Sequence, residues 1–91
     1  MLKITSHSDP ARTLFELEGR LLGAWVEELK NCWQQAAAAN QQVGVRLKEV
    51  TFIDAAGRKL LADMHLQGVT LAAEGCMMKA IIEEIIRGES L

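Results

Sequence analysis

The side chains in this sequence that could do chemistry are few and scattered. Its two histidines, His7 and His65, stand 58 positions apart, and neither has an acid or a nucleophile at the spacing that general acid–base catalysis would use. The two cysteines, Cys32 and Cys76, form no Cys-x-x-Cys motif. Each falls within an apolar helical pattern, which predicts a buried free thiol in a reducing compartment and neither a disulfide nor a metal site. Glu27-Glu28 and Glu83-Glu84 are neighbours on predicted helices, so the members of each pair point about 100° apart and cannot share a proton as a dyad. Gly19-Arg20-Leu21-Leu22-Gly23 has glycines at its ends but lacks the lysine and hydroxyl residue of a phosphate-binding loop. There is no Gly-x-Ser-x-Gly, no His-Glu-x-x-His, and no tyrosine. The sequence therefore predicts a protein that is not an enzyme and needs no cofactor.

What remains is the stretch Val50-Thr51-Phe52-Ile53-Asp54-Ala55-Ala56-Gly57-Arg58-Lys59-Leu60-Leu61. Up to Ile53 the β-branched and aromatic residues suit a pleated surface; after Asp54, Leu60, Leu61 and Met64 recur on one helical face. Asp54 stands where a helix cap belongs, able to accept from free backbone N–H groups of the first turn and matched to the positive end of the helix dipole. Gly57 and the two alanines leave the backbone at this corner almost bare. A bare helix start allows close approach by a partner's backbone or by an anion. Arg58 and Lys59 are cations near the positive end of the dipole, which costs a few tenths of a kcal/mol each. They either reach into solvent or meet an acidic partner surface.

The elements that must position this corner follow from the rest of the chain. Met1–Thr5 alternates as a first strand, Ser6–Pro10 reads as a turn, and Arg12–Leu21 is a second strand, together an edge hairpin. From Leu22 to Ala39 the period is helical, with Leu22, Val26, Leu29, Trp33 and Ala36 on one face and Trp25 and Cys32 on its flank. Gln41–Glu49 gives a third strand with Val43, Val45 and Leu47 on one side, continuing through Val50–Ile53 into the corner. A helix follows over Ala55–Leu66, then a short strand Val69–Ala73. The last helix, Met77–Arg87, carries Met78, Ile81, Ile82 and Ile85 inward, with Met77 and Ile86 widening the apolar arc to about half the circumference. After the hairpin, strands alternate with helices, which predicts an α/β fold with helices packed on a sheet.

Composition sets the outer limits. Residues 1–91 are the length of one domain, enough to bury roughly 60 to 65% of the unfolded surface without staples. The chain is 49% apolar and 24% charged, the balance of an ordinary globular protein. Its apolar runs are far shorter than the roughly 20 residues needed to span a bilayer, and no segment looks like a signal peptide, so a cytoplasmic location is expected. Net charge is −2, with no basic tract and no aromatic platform, which argues against a nucleic-acid partner.

Taken together, the order of elements, Leu17-Glu18-Gly19-Arg20-Leu21 at the end of the second strand and Phe52-Ile53-Asp54-Ala55-Ala56-Gly57 at the corner resemble a STAS domain. This is the fold of bacterial anti-sigma factor antagonists and of the cytoplasmic ends of sulfate transporters. The corner is similar to the family's Asp-Ser-Ser/Thr-Gly signature, and Gly68-Val69-Thr70-Leu71 falls where the family has its next strand. The resemblance covers almost the whole chain and implies a mixed four-stranded sheet with three helices packed against it.

It also implies a role: a signal-transduction module that binds a regulatory protein such as a kinase-like anti-sigma factor and is released when the serine after the aspartate is phosphorylated. Here Ala55 occupies that phosphoacceptor position and Ala56 replaces the second hydroxyl, so no charge of about −1.5 to −2 can be added at this helix start. Arg46 stands where the family often has Asp or Asn, and with Lys48, Arg58 and Lys59 it makes the expected surface basic. The expected partner-binding residues are Asp54, Ala55, Ala56, Gly57, Arg58 and Lys59. Two alternatives remain: the same corner as a sensor of a nucleotide or other anion, and a homodimer formed through Met77 and Ile86.

Overall fold

Where apolar residues alternate along a strand, one face of the sheet is committed to the core. In the computed structural model, which describes residues 2–88, the elements are β1 (Leu2–Ser8), β2 (Arg12–Leu21), α1 (Ala24–Ala38), β3 (Gln42–Ile53), α2 (Ala55–Leu66), β4 (Thr70–Ala73) and α3 (Cys76–Arg87). The four strands lie in the order β1-β2-β3-β4, with β1 antiparallel to β2 and β3 parallel to both β2 and β4. The architecture is thus an α/β mixed four-stranded sheet with three helices.

The committed face carries Phe15, Leu17 and Leu21 from β2 and Val43, Val45, Leu47, Val50 and Ile53 from β3. Against it pack Val26, Leu29 and Ala36 of α1, Leu60, Leu61 and Met64 of α2, and Met78, Ile82 and Ile85 of α3. Leu17, Leu29, Leu47, Leu61 and Met64 are wholly inaccessible to solvent, each worth roughly 1.5–3 kcal/mol of transfer free energy.

The spacing of inward residues along β3 is 43, 45, 47, 50, 53, which changes from two to three after Leu47. The register shows why. Leu17 pairs with Leu47, but Glu18 pairs with Glu49 and Arg20 with Phe52, so Lys48 and Thr51 are extra residues at two bulges. Each bulge flips the parity of the strand and keeps an apolar side chain on the core side. The same flips turn Phe52 outward.

None of the three helices of the described residues packs on the opposite face of the sheet, which is laced by charge. His7 Nε2 of β1 lies 2.7 Å from Glu16 Oε1 of β2, Arg46 of β3 donates to the other oxygen of Glu16 at 3.4 Å, and Arg46 also pairs with Glu74 just after β4. Arg46 is therefore tied between two carboxylates. Arg58 donates to Glu84 of α3 at 3.5 Å. The expected basic surface is thus reduced at its arginines, which acids from distant elements answer, whereas Lys48, the extra residue at the first bulge, and Lys59 stay exposed.

Three further expectations change. The first strand runs on to Ser8, because the turn is confined to Asp9, Pro10 and Ala11 and closed by Asp9, whose Oδ1 accepts from the amides of Ala11 and Arg12 at 2.8 and 2.9 Å; Met1 lies outside the described residues. Helix α1 starts at Ala24, since Gly23 at φ 56° cannot be a helical residue, and this leaves Leu22 in the connection. Of the two cysteines expected to be buried, Cys32 is half-buried and Cys76 is exposed. Cys76 opens α3 on the side away from Met78, Ile82 and Ile85, so its apolar neighbours in sequence are not its neighbours in space.

The charges predict a pH dependence. Amide donation from Ala11 and Arg12 holds the Asp9 carboxyl below the usual carboxylate range, and the hydrogen bond with His7, helped by nearby charge, does the same for Glu16. In that window the unfolded chain binds more protons than the folded one, so stability is complete above the ordinary carboxylate range and falls as pH drops through the lowered values. Urea denaturation between about pH 3 and about pH 6 should show this loss, and Glu16→Gln should flatten part of it. Equal acid limbs for the variant and the parent would remove Glu16 as a contributor.

Candidate functional site

The corner between β3 and α2 is built around one carboxylate. Asp54 leaves the strand in an extended conformation (φ −80°, ψ 178°), so its side chain turns back over the first turn of the helix. Oδ1 accepts from the Gly57 amide at 2.7 Å, and Oδ2 accepts from the Gly23 amide at 3.1 Å, 31 residues earlier in the chain. The Asp54 amide in turn donates to the Leu21 carbonyl at 3.1 Å. Two adjacent strand-to-helix connections, β2 to α1 and β3 to α2, are locked together through this residue.

Gly57 is buried and its role is packing. A Cβ there would lie 2.8 Å from Ile53 Cγ2, closer than real Cβ contacts come, and a tight 3.1 Å from the Leu21 carbonyl oxygen. The glycine lets α2 sit directly on the ends of β2 and β3. Of the remaining corner residues, Ala55, Ala56 and Lys59 are exposed, and Arg58 is half-buried and held by Glu84. The six residues singled out from the sequence are thus contiguous but divided: Asp54 and Gly57 build the corner, Arg58 braces it against α3, and Ala55, Ala56 and Lys59 face solvent.

A seventh residue joins them. Phe52 is 48% exposed at the end of β3, beside Arg20 in the register and two residues from Asp54. Sequence reasoning placed it in a strand without assigning its face. The signal was available, since inward positions at 47, 50 and 53 leave 52 outside.

The arrangement offers little to an anion. Two of the amides that could receive one, those of Gly23 and Gly57, already receive the Asp54 carboxylate, whose charge opposes a second negative group. Met77 and Ile86 on α3 are 71% and 45% exposed. Nine positions apart on a helix, they point about 180° from each other, at the two edges of an arc whose middle, Met78, Ile82 and Ile85, is buried in the core. Among the described residues no group of three or more His, Cys, Asp and Glu side chains is placed to hold a metal ion, and no helix is long and apolar enough to cross a membrane.

No family model and no curated protein matches this sequence. Among solved structures, the chain is similar to an uncharacterised protein of the DUF3478 family with a SpoIIAA-like fold from Shewanella loihica PV-4. The TM-score is 0.58 at 13% identity, over 85% of this chain and 70% of that one. The fold is STAS-like. At that identity the likeness speaks for the backbone alone, and nothing in it reports catalytic activity. In a STAS-like fold the Asp54 corner lies at the carboxyl ends of two parallel strands, where loops and helix starts come together.

Three substitutions test this account of the corner. Asp54→Ala removes a cap and the tie to Gly23 and should cost about 1–2 kcal/mol, a fall in Tm of roughly 4–16 °C for a chain of this size. Asp54→Asn should recover part of it. Gly57→Ala should cost about 1–3 kcal/mol through overpacking against Ile53. Thermal and urea unfolding of the three variants read these values directly, and a neutral Gly57→Ala would show that the corner is looser than its distances imply.

Proposed function

We propose that this protein is a non-enzymatic regulatory module that binds another signalling protein through the corner between β3 and α2. The observation that carries the reading is the exposure of Phe52, Ala55 and Ala56 on a corner fixed by Asp54. An exposed aromatic beside small side chains is a suitable anchor for a protein interface, because the ring fills a partner's pocket while the alanines let the partner's backbone come close. No reactive group stands among them. Lys59 on the next helical turn adds a rim charge that would affect the rate of encounter more than the final affinity.

The resemblance to anti-sigma factor antagonists suggests the partner class, a regulatory protein with a kinase-like fold. With Ala55 at the phosphoacceptor position, the module would stay in its binding-competent form, and control would act through its abundance or through the partner. The setting would be the bacterial cytoplasm and the output a change in transcription.

The test uses tagged wild type, Ala56→Arg and Phe52→Ala as parallel baits in native lysate, followed by titration of the purified candidate. Ala56→Arg should abolish binding, and Phe52→Ala should weaken it by about 2 kcal/mol, roughly thirtyfold. Circular dichroism should show both variants folded. Ala55→Ser should gain a single phosphoryl group when incubated with a kinase-like partner and ATP. A partner retained equally by Ala56→Arg and wild type would move the interface away from this corner.

A further inference from the structure

The uncovered face of the sheet contains a depression that the charge ladder does not explain. It lies at the start of the parallel strands, has a volume of about 300 Å³, and has Gly44 of β3 in its lining. On this face Gly44 stands between Leu14 of β2 and Thr70 of β4, with Arg12 and Gln42 as one neighbouring row and Glu16, Arg46 and Ala72 as the other.

Glycine in the interior of a strand is costly, because it lowers β propensity and leaves nothing to pack. Two other glycines have a reason in the fold: Gly23 adopts a positive φ of 56°, and Gly57 has no room for a Cβ. Gly44 lacks the first reason and has the second only in part: its backbone is not among those with positive φ, and a Cβ would press on the flexible end of Leu14 at 3.3 Å, with the Thr70 carbonyl oxygen at an ordinary 3.8 Å. A strand glycine that neither a left-handed turn nor a backbone clash requires is a place where another molecule can come close to the backbone.

The surroundings define that visitor. The floor is flat peptide at Gly44, with Leu14 and Ala72 as apolar flanks, which favours a planar apolar body. At one end stands Arg12. No side chain among the described residues forms an ion pair or hydrogen bond with its guanidinium; Asp9 acts on it only through charge and spends its own carboxylate on two backbone amides. At the other end, Glu16 and Glu74 already occupy Arg46, so of the two guanidinium groups it is that of Arg12 which has no carboxylate partner among the described residues. Gln42 and the Thr70 hydroxyl offer additional polar contacts at the rim. The volume sits at the lower end of the range for small-molecule sites.

We propose that this groove binds a small planar aromatic monocarboxylate, with its ring on Gly44 and its carboxylate on Arg12. Gly44 lies ten positions before Asp54 along β3, about 30 Å of strand, so this site and the protein-binding corner stand or fall separately.

The probe is 2-naphthoate, titrated into isotopically labelled protein and followed by backbone amide NMR. A ligand of this size at ordinary efficiency binds at about 1 mM. Saturable shifts are expected at Arg12, Gly44 and Thr70, and Gly44→Val, which fills the groove with a good strand former, should abolish them. As a second arm, Arg12→Gln should weaken 2-naphthoate about tenfold while leaving the neutral 2-naphthylmethanol unchanged. Non-saturable shifts, shifts centred on another part of the molecule, or titrations insensitive to both substitutions would overturn the proposal.

Discussion

Asp54 places one charged side chain between two helix starts that the sequence separates by 31 residues. A carboxylate that accepts from two backbone amides forms stronger hydrogen bonds than a neutral acceptor, and here it does so with both oxygens. The consequence reaches beyond a cap. Because Gly23 and Gly57 are drawn to the same group, α1 and α2 leave the sheet side by side, and the ends of β2 and β3 are held level by the bond from the Asp54 amide to Leu21. The carboxylate is used up internally, so what the corner shows to other molecules is decided by Phe52, Ala55, Ala56 and Lys59.

Much of this was legible along the chain. The change of period at Asp54 located the β3–α2 junction to the residue, and the alternation of Val43, Val45 and Leu47 gave the covered face of β3. Other features depend on contacts between distant residues. That Arg46 sits between Glu16 and Glu74, and Arg58 beside Glu84, follows from strand order and helix packing, which no local pattern encodes. Cys76 looked buried because its sequence neighbours are apolar, yet a helix turns about 100° per residue and carries it to the solvent side. The exposure of Phe52 was written in the 47, 50, 53 spacing, but becomes readable only when that spacing is recognised as two bulges.

The glycines divide the molecule by function. Gly57 permits contact between helix and sheet, Gly23 permits a turn, and Gly44 leaves space on the face that has no helices. In this chain the corner depends on the first two, while no backbone conformation requires the third.

The parallel pairing of β2 with β3 also governs how the chain assembles. Ser8 and Thr13 of the β1–β2 hairpin are five residues apart, whereas Arg12 and Gln42, or Leu21 and Ile53, are 30 and 32 residues apart. The hairpin can therefore close early and at little entropic cost, but β2 keeps an open edge until α1 and most of β3 have emerged and the long loop has closed. During that interval Phe15, Leu17 and Leu21 have no helices over them, next to a row of unpaired backbone donors and acceptors. The most vulnerable moment in the life of this protein is its birth on the ribosome, when half a sheet waits for its other half.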